Sequence, residues 1–285
     1  MITVTGATGQ LGRQVIAALL KELPPSEIVA AVRDTEKGKD LEDLGVQVRR
    51  ADYDQPGSLK EAFKGTGKLL LVSSSEIGRR IRQHAAVIDA ARSADVELLA
   101  YTSGLHAQTS PLVLFAEHRK TEAMLRQSGL SFVLLRNGWY TENHTATIPA
   151  ALEHGTLLGC AGAGRIASAA RADYAAAAAK ALLLEGQAGR VYELAGDSAY
   201  TMEDFAGEIT KQTGKTVAYK DMPEEEYKAV LVSAGIPEGL AALLADSDTG
   251  ASKGGLFDDS HQLSKLIGRP TTPLAESVAE AIKGS

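Results

Sequence analysis

The chain has 285 residues, 44% of them hydrophobic and 23% charged, with a net charge of −6 and one cysteine. A chain of this size and balance buries a full core, as an ordinary globular protein does. Its acidity argues against a nucleic-acid partner, which needs a positive surface, and Cys160, being single, excludes an internal disulfide and fits a reducing compartment.

The first element is the apolar run Ile2-Thr3-Val4, which flows into Gly6-Ala7-Thr8-Gly9-Gln10-Leu11-Gly12 and then a helix-like segment from Arg13 to Lys21. A strand, three glycines spaced by three and a helix form a recipe for gripping a dinucleotide pyrophosphate. Gly6 permits the turn, Gly9 lets the main chain approach phosphates, and Gly12 lets helix and strand pack closely. The second strand, Ile28 to Val32, ends at Arg33, at the distance where such a fold reads the adenosine ribose. A guanidinium fork there suits a 2′-phosphate and favours NADP over NAD; the other reading is a solvated strand-end charge, and Asp34 beside it keeps both open.

Further apolar runs follow at Val46 to Val48, Leu69 to Val72, Leu98 to Tyr101 and Phe132 to Leu135. They are separated by helix-period segments at Ser58 to Lys64, Arg79 to Ser93 and Glu117 to Gln127. Continuous apolar strands between amphipathic helices predict an α/β protein with a doubly wound parallel (Rossmann) sheet, its ligand beyond the carboxyl ends of the strands. Those ends carry Asp52-Tyr53, Ser73-Ser74-Ser75, Thr102-Ser103-Gly104 and Arg136-Asn137-Gly138-Trp139-Tyr140. Each is also ordinary turn chemistry, and it is the set on one face that carries weight.

After about Tyr140 the alternation loosens. Helices are expected near Glu142 to Glu153, Arg171 to Glu185, Met202 to Gln212, Glu224 to Ser233 and Leu274 to Ile282, with short strands at Val191 to Leu194 and Val217 to Tyr219. The expected organisation is a dinucleotide-binding domain at 1–140, rejoined by a strand near 191–195, and a smaller α/β region at 141–285 on the substrate side, closing over the cofactor cleft. The segment Asp248 to Gly255 lacks P-loop spacing and reads as a mobile surface loop or lid. A strand opening at residue 2 leaves no room for a signal peptide, and the alanine-rich run 175–184 is too short to span a membrane. The expectation is a soluble cytoplasmic protein with no membrane partner.

Several segments together resemble a known family. They are Thr5 to Gly12, Leu70-Leu71-Val72-Ser73-Ser74-Ser75-Glu76, Tyr101-Thr102-Ser103, Leu134 to Tyr140, Tyr192-Glu193-Leu194-Ala195-Gly196, Ala251 to Ser260 and the terminal Leu263 to Gly268. The chain is similar, end to end, to the bacterial type 2 NADPH:quinone oxidoreductases, NmrA-like members of the atypical short-chain dehydrogenase/reductases, and more distantly to triphenylmethane-dye reductases. The resemblance implies NADPH held by Gly6, Ala7, Thr8, Gly9, Gln10, Leu11 and Gly12, by Arg33, by Ser73, Ser74 and Ser75, by Thr102, and by Asn137, Gly138, Trp139 and Tyr140. The implied activity is reduction of a small-molecule quinone, with no flavin and no metal.

Ordinary short-chain reductases use a tyrosine acid with a lysine four residues later. None of the eight tyrosines here has a lysine at that spacing, and the corresponding helix puts Leu114 and His118 at the two positions. A quinone, as a good hydride acceptor, tolerates the loss. Phe115, Trp139 and Tyr140 are candidates for a flat apolar substrate wall or for core packing, and His106 is a weaker pocket candidate. His118 is the candidate proton source, expected to face the cleft and titrate near neutrality, or else a helix-surface histidine without a role. The alternatives are an NADP(H)-sensing regulator with little or no turnover, and a reductase of another flat acceptor such as a triphenylmethane dye.

Overall fold

The computed structural model describes residues 1–284. In chain order its elements begin with β1 (Ile2–Thr5), α1 (Gln10–Leu19), β2 (Ile28–Val32), α2 (Lys39–Asp43), β3 (Gln47–Arg50), α3 (Pro56–Ala62), β4 (Lys68–Leu71) and α4 (Arg80–Ser93). They continue with β5 (Leu98–Gly104), α5 (Phe115–Gln127), β6 (Phe132–Asn137), α6 (Thr141–Thr145), α7 (Ile148–His154), β7 (Thr156–Gly159), α8 (Arg171–Leu183) and β8 (Val191–Leu194). The rest is α9 (Met202–Thr213), β9 (Ala218–Asp221), α10 (Glu224–Ser233), α11 (Glu238–Ser252), α12 (Gln262–Ile267) and α13 (Leu274–Lys283).

The chain divides into two compact units interleaved in sequence: Met1–Gly104 with Glu117–Asn137 and Arg171–Tyr192, and Leu105–Ala116 with Gly138–Ala170 and Glu193–Ser285. This division differs from a single boundary at residue 140. Residues 105–116 leave the first unit, and α8, from the part of the sequence expected to be the smaller region, joins it.

The first unit is built on a seven-stranded sheet of order β3-β2-β1-β4-β5-β6-β8, so the strand order reverses between β1 and β4. The pairings from β3 through β6 are all parallel. A parallel sheet must be covered on both faces, and β1, β2 and β5 are accordingly buried along their whole length. Val15, Ile16 and Leu19 on α1 have no exposed surface, and Ala175, Ala177, Ala178, Ala179 and Ala181 are buried on α8, the helix that packs against α1. Short side chains let two helices approach closely, which accounts for the alanine-rich run without any membrane role. Among the described residues no helix is long and apolar enough to cross a membrane. β8 sits beside β6, where the sequence allowed a returning strand.

The second unit holds the two-stranded sheet β7-β9 and an apolar cluster that includes Leu112, Phe115, Ile148, Phe205, Ile209 and Val278. The single helix expected over 142–153 is two helices, because Pro149 falls in the first turn of α7. Proline removes an N–H that a helix interior would need but not one that a first turn needs, so it starts a new helix.

Residues 248–252, expected to be part of a loop or lid, are instead the end of α11, and Gly250 and Ala251 are buried. A Cβ on Gly250 would lie 2.5 Å from Leu112, and one on Gly255 2.6 Å from the same side chain. Leu112 therefore plugs a notch that only glycine leaves open, and packing explains glycines that read as loop in the sequence.

Candidate functional site

Beyond β1 the chain turns at Gly6, with φ +57°, in the left-handed region that glycine adopts without strain. Gly9 N–H closes the turn on Gly6 carbonyl at 2.9 Å, and α1 begins at Gln10 with no side chain capping it. The first N–H groups of a helix have no intrahelical carbonyl, so this terminus offers donors and the positive end of the helix dipole. Gly12 is the tightest position of this turn: a Cβ there would stand 2.4 Å from Gly6 O and 2.8 Å from Ala7 Cα, both main-chain atoms. Arg13 pins the turn, donating to Thr8 O at 3.2 Å and to Lys37 O at 2.8 Å and pairing with Asp40.

Arg33 follows β2 immediately, its side chain 71% exposed, and its Nη1 donates to Glu76 Oε1 at 2.9 Å. Glu76 belongs to the segment after β4, which is tied down at nearly every residue. Ser73 N–H donates to Thr102 Oγ1 at 2.8 Å, Ser74 N–H to His84 Nε2 at 2.9 Å, and Ser74 Oγ to Gln83 Oε1 at 2.5 Å. Arg80 Nε donates to Ser74 O at 2.7 Å, and Gly78 N–H to Glu117 Oε1 at 3.0 Å.

His84 Nε2 accepts, so its proton sits on Nδ1 and is donated to Thr121 Oγ1, whose own hydrogen goes to Glu117 O. Burial drops its pKa to about 3, so this neutral tautomer is fixed. Ser74 and Thr102 thus use their polar groups to shape the loop, whereas Ser75 is exposed. Tyr53 likewise ties strand ends together: its hydroxyl lies 2.5 Å from Thr5 Oγ1 and 3.0 Å from Val72 O. Asn137 closes β6 with only 6% exposure, and its Oδ1 has no hydrogen-bond partner. A buried amide oxygen left unpaired costs about 1–3 kcal/mol, which a bound donor would recover.

His118 lies elsewhere than expected. It is 5% exposed on α5, its Nδ1 2.7 Å from the hydroxyl of the fully buried Tyr101 on β5. Burial first, then the neighbouring Arg80, holds its pKa well below the ordinary value, so it is neutral at physiological pH rather than titrating near it. The sequence missed the whole polar layer around it: Arg80, His84, Thr121 and Glu122 are all buried. Glu122 accepts from Ser103 Oγ at 2.7 Å and from Arg136 Nε and Nη2 at 2.9 and 2.7 Å. The available signal was a run of polar residues at helical spacing on α5 opposite a fully buried strand.

The second unit holds the remaining predicted residues. Phe115 is 4% exposed within the apolar cluster, and Trp139 is half-buried against that cluster. Tyr140, also half-buried, bridges to Ala169. His106 takes a left-handed backbone at φ +49°, with Nδ1 3.6 Å from Glu193 Oε2 and Nε2 3.3 Å from Asp258 Oδ2. Cys160 is a packed thiol whose pKa burial pushes up to about 11, so it carries no thiolate at neutral pH. Beside it Asp248 Oδ2 accepts the Cys160 N–H at 3.1 Å, and burial raises that carboxyl to about 6. Among the described residues no group of three or more His, Cys, Asp or Glu is placed to hold a metal ion.

The profile of the NmrA-like family matches residues 1–275. Quinone oxidoreductase 2 of Escherichia coli strain K12 is 59% identical over 279 residues, covering 98% of each chain. The crystal structure of the NADPH-dependent quinone oxidoreductase of Escherichia coli complexed with NADPH superposes with a TM-score of 0.97 at 58% identity, over 99% of this chain and 100% of the other. The Citrobacter sp. triphenylmethane reductase complexed with NADP(H) gives a TM-score of 0.95 at 40% identity, over 99% and 100% of the two chains. The family match over residues 1–275, together with 59% identity along nearly the full length to a relative, places this chain in the NmrA-like family.

Proposed function

We propose that the chain binds NADPH and reduces quinones by passing a hydride directly from the nicotinamide, without flavin or metal. The observation that carries the reading is the β1–α1 turn, where Gly12 sits too close to Gly6 and Ala7 to admit a Cβ and an uncapped helix start faces outward. These residues fit a dinucleotide. The N–H groups of Gln10 to Gly12 would take the diphosphate, Arg33 the 2′-phosphate, and the unpaired Oδ1 of Asn137 a donor from the coenzyme. The Escherichia coli quinone oxidoreductase, solved with NADPH, supports both parts of the reading, and the Citrobacter sp. reductase, solved with NADP(H), supports the coenzyme part.

Bound NADPH supplies the hydride; quinone plus hydride plus one proton gives the hydroquinone. The protein's part is to orient the coenzyme and keep the loop after β4 rigid through His84, Arg80 and Gln83. His118, neutral and hydrogen-bonded to Tyr101, holds α5 against β5 rather than delivering the proton, which water supplies. Trp139 and Tyr140, half-buried and flat, remain the best candidates for an aromatic surface against the acceptor.

The test is steady-state kinetics of purified protein with NADPH and a simple quinone, both varied. Direct transfer needs a ternary complex and gives sequential kinetics, with a primary isotope effect from NADPH deuterated at C4 of the nicotinamide. Ping-pong kinetics or a flavin absorption band would overturn direct transfer, and coenzyme binding without turnover would turn the reading to a sensor. The Citrobacter relative at 40% identity favours one second reading, reduction of a triphenylmethane dye, ranked by running dye and quinone side by side.

A further inference from the structure

We propose that Glu76 limits the chain's preference for the phosphorylated coenzyme by competing with the 2′-phosphate for Arg33, an inference that rests on the coenzyme reading above. Arg33 is the most exposed member of a ladder of alternating charge in the first unit. It donates to Glu76 Oε1 at 2.9 Å, and Arg79 Nη1 donates to Glu76 Oε2 at 2.8 Å. Arg79 Nη2 also reaches Asp54 Oδ2 at 2.7 Å, and Arg82 reaches Asp54 Oδ1 at 2.6 Å. Three guanidiniums therefore share two carboxylates.

Glu76 is held more firmly than Arg33. Gln83 Nε2 donates to its Oε2 at 3.1 Å, its own N–H donates to Ser74 Oγ at 3.1 Å, and Ser74 is fixed in turn by His84 and Arg80. Its side chain is 30% exposed against 71% for Arg33. Arg33 thus reaches out to a fixed carboxylate.

A guanidinium binds phosphate best through two parallel N–H bonds, and here one N–H of Nη1 is already committed to a carboxylate. A dianion arriving at Arg33 must displace Glu76 or settle beside its negative charge. A coenzyme without the phosphate meets neither cost. Glu76 also restrains Arg33, which favours any ligand of that side chain. The restraint is worth one side chain's ordering whatever the ligand's charge, whereas the repulsion doubles for a dianion. The sign follows: removing the charge tightens the phosphorylated coenzyme selectively, and most at low ionic strength.

The experiment titrates wild type, E76Q and E76A by calorimetry with NADPH, NADH, 2′,5′-ADP and AMP, at low and moderate salt. The two adenosine fragments isolate the phosphate end from the nicotinamide. E76Q is expected to bind NADPH and 2′,5′-ADP about tenfold more tightly while NADH and AMP stay within about twofold, with the gain shrinking as salt rises. E76A, which removes the acceptor as well as the charge, shifts in the same direction and stands in if E76Q does not fold. If wild type prefers 2′,5′-ADP over AMP and neither variant strengthens that preference, Glu76 is no competitor and the Arg33 reading survives. If no protein distinguishes the two fragments, the Arg33 reading falls together with this inference.

Discussion

The glycine turn of the first unit and the buried carboxyl of the second are built on opposite principles. In the first, the end proposed to hold the coenzyme is shaped by main chain, with Gly6 and Gly12 forming a turn, Arg33 exposed after β2 and Glu76 half-buried beside Arg33. In the second, the distinctive groups are buried: Asp248 under β7, and His144, whose pKa burial lowers to about 4, bonded through Nδ1 to the Tyr200 hydroxyl at 2.7 Å. A site built from backbone fails by shape, whereas one built from buried titratable groups fails by charge. Substitutions in the two units should therefore leave different signatures.

The largest effect is expected at Gly12. Its Cβ would meet Gly6 O and Ala7 Cα, main-chain atoms that no rotamer can move aside. Gly12→Ala should lower NADPH affinity by about a thousandfold and cost about 1–3 kcal/mol of stability, read by calorimetry and urea unfolding. Retained affinity would mean that the turn does not form the binding surface.

Asp248 is the counterpart in the second unit and responds to pH instead. Its carboxyl titrates at 3.8 when free and at about 6 in the folded chain. Between those values the native state holds more protons than the unfolded one, so stability falls as pH rises through this window and stays lowered above it. The shift corresponds to about 3 kcal/mol at neutral pH. Asp248→Asn keeps an acceptor for the Cys160 N–H but removes the charge, so near pH 7 it should be more stable than wild type, with the advantage vanishing near pH 4. Urea midpoints at the two pH values decide, and a variant less stable than wild type at neutral pH would contradict the burial argument.

A smaller and more selective effect is expected at Arg33. Arg33→Glu places a carboxylate beside Glu76 and should weaken NADPH about a hundredfold while NADH changes little, since only one coenzyme carries the phosphate. Equal losses for both would remove Arg33 from the site.

Legibility in the sequence followed the same division. The strands of the first unit were readable because a parallel sheet buries whole runs such as Ile28–Val32, and the glycine turn because positive φ at Gly6 and the close contact at Gly12 restrict the residue type. In the second unit β7 has only four residues, and α11 contains Gly239 and Gly250, so local propensity argued against what packing on Leu112 imposes. The pairings within the polar layer beneath the strand ends were unreadable for another reason, beyond the one signal of polar residues at helical spacing on α5. The partners of His84 and Glu122 come from the segment after β4 and from α5, β5 and β6, and nothing in the chain order announces that Ser74, Thr121, Ser103 and Arg136 will meet them.

His118 gives the smallest expected change and the sharpest reading of that layer. Spacing alone put it where a lysine would stand in ordinary short-chain reductases, and a histidine there invites a proton-transfer role. The fold gives it 5% exposure, a hydrogen bond to the buried Tyr101 hydroxyl and a pKa well below 6.5, so no imidazolium exists to donate near neutral pH. His118→Gln should then leave the pH–rate profile of quinone reduction unshifted between about pH 6 and 8, with kcat changed no more than about threefold, while lowering stability by about 1–3 kcal/mol through the disturbed Tyr101 contact. A profile that loses an ionisation in this range would return the proton to His118. It would also require the ring to become solvated during turnover, because burial is what keeps it neutral.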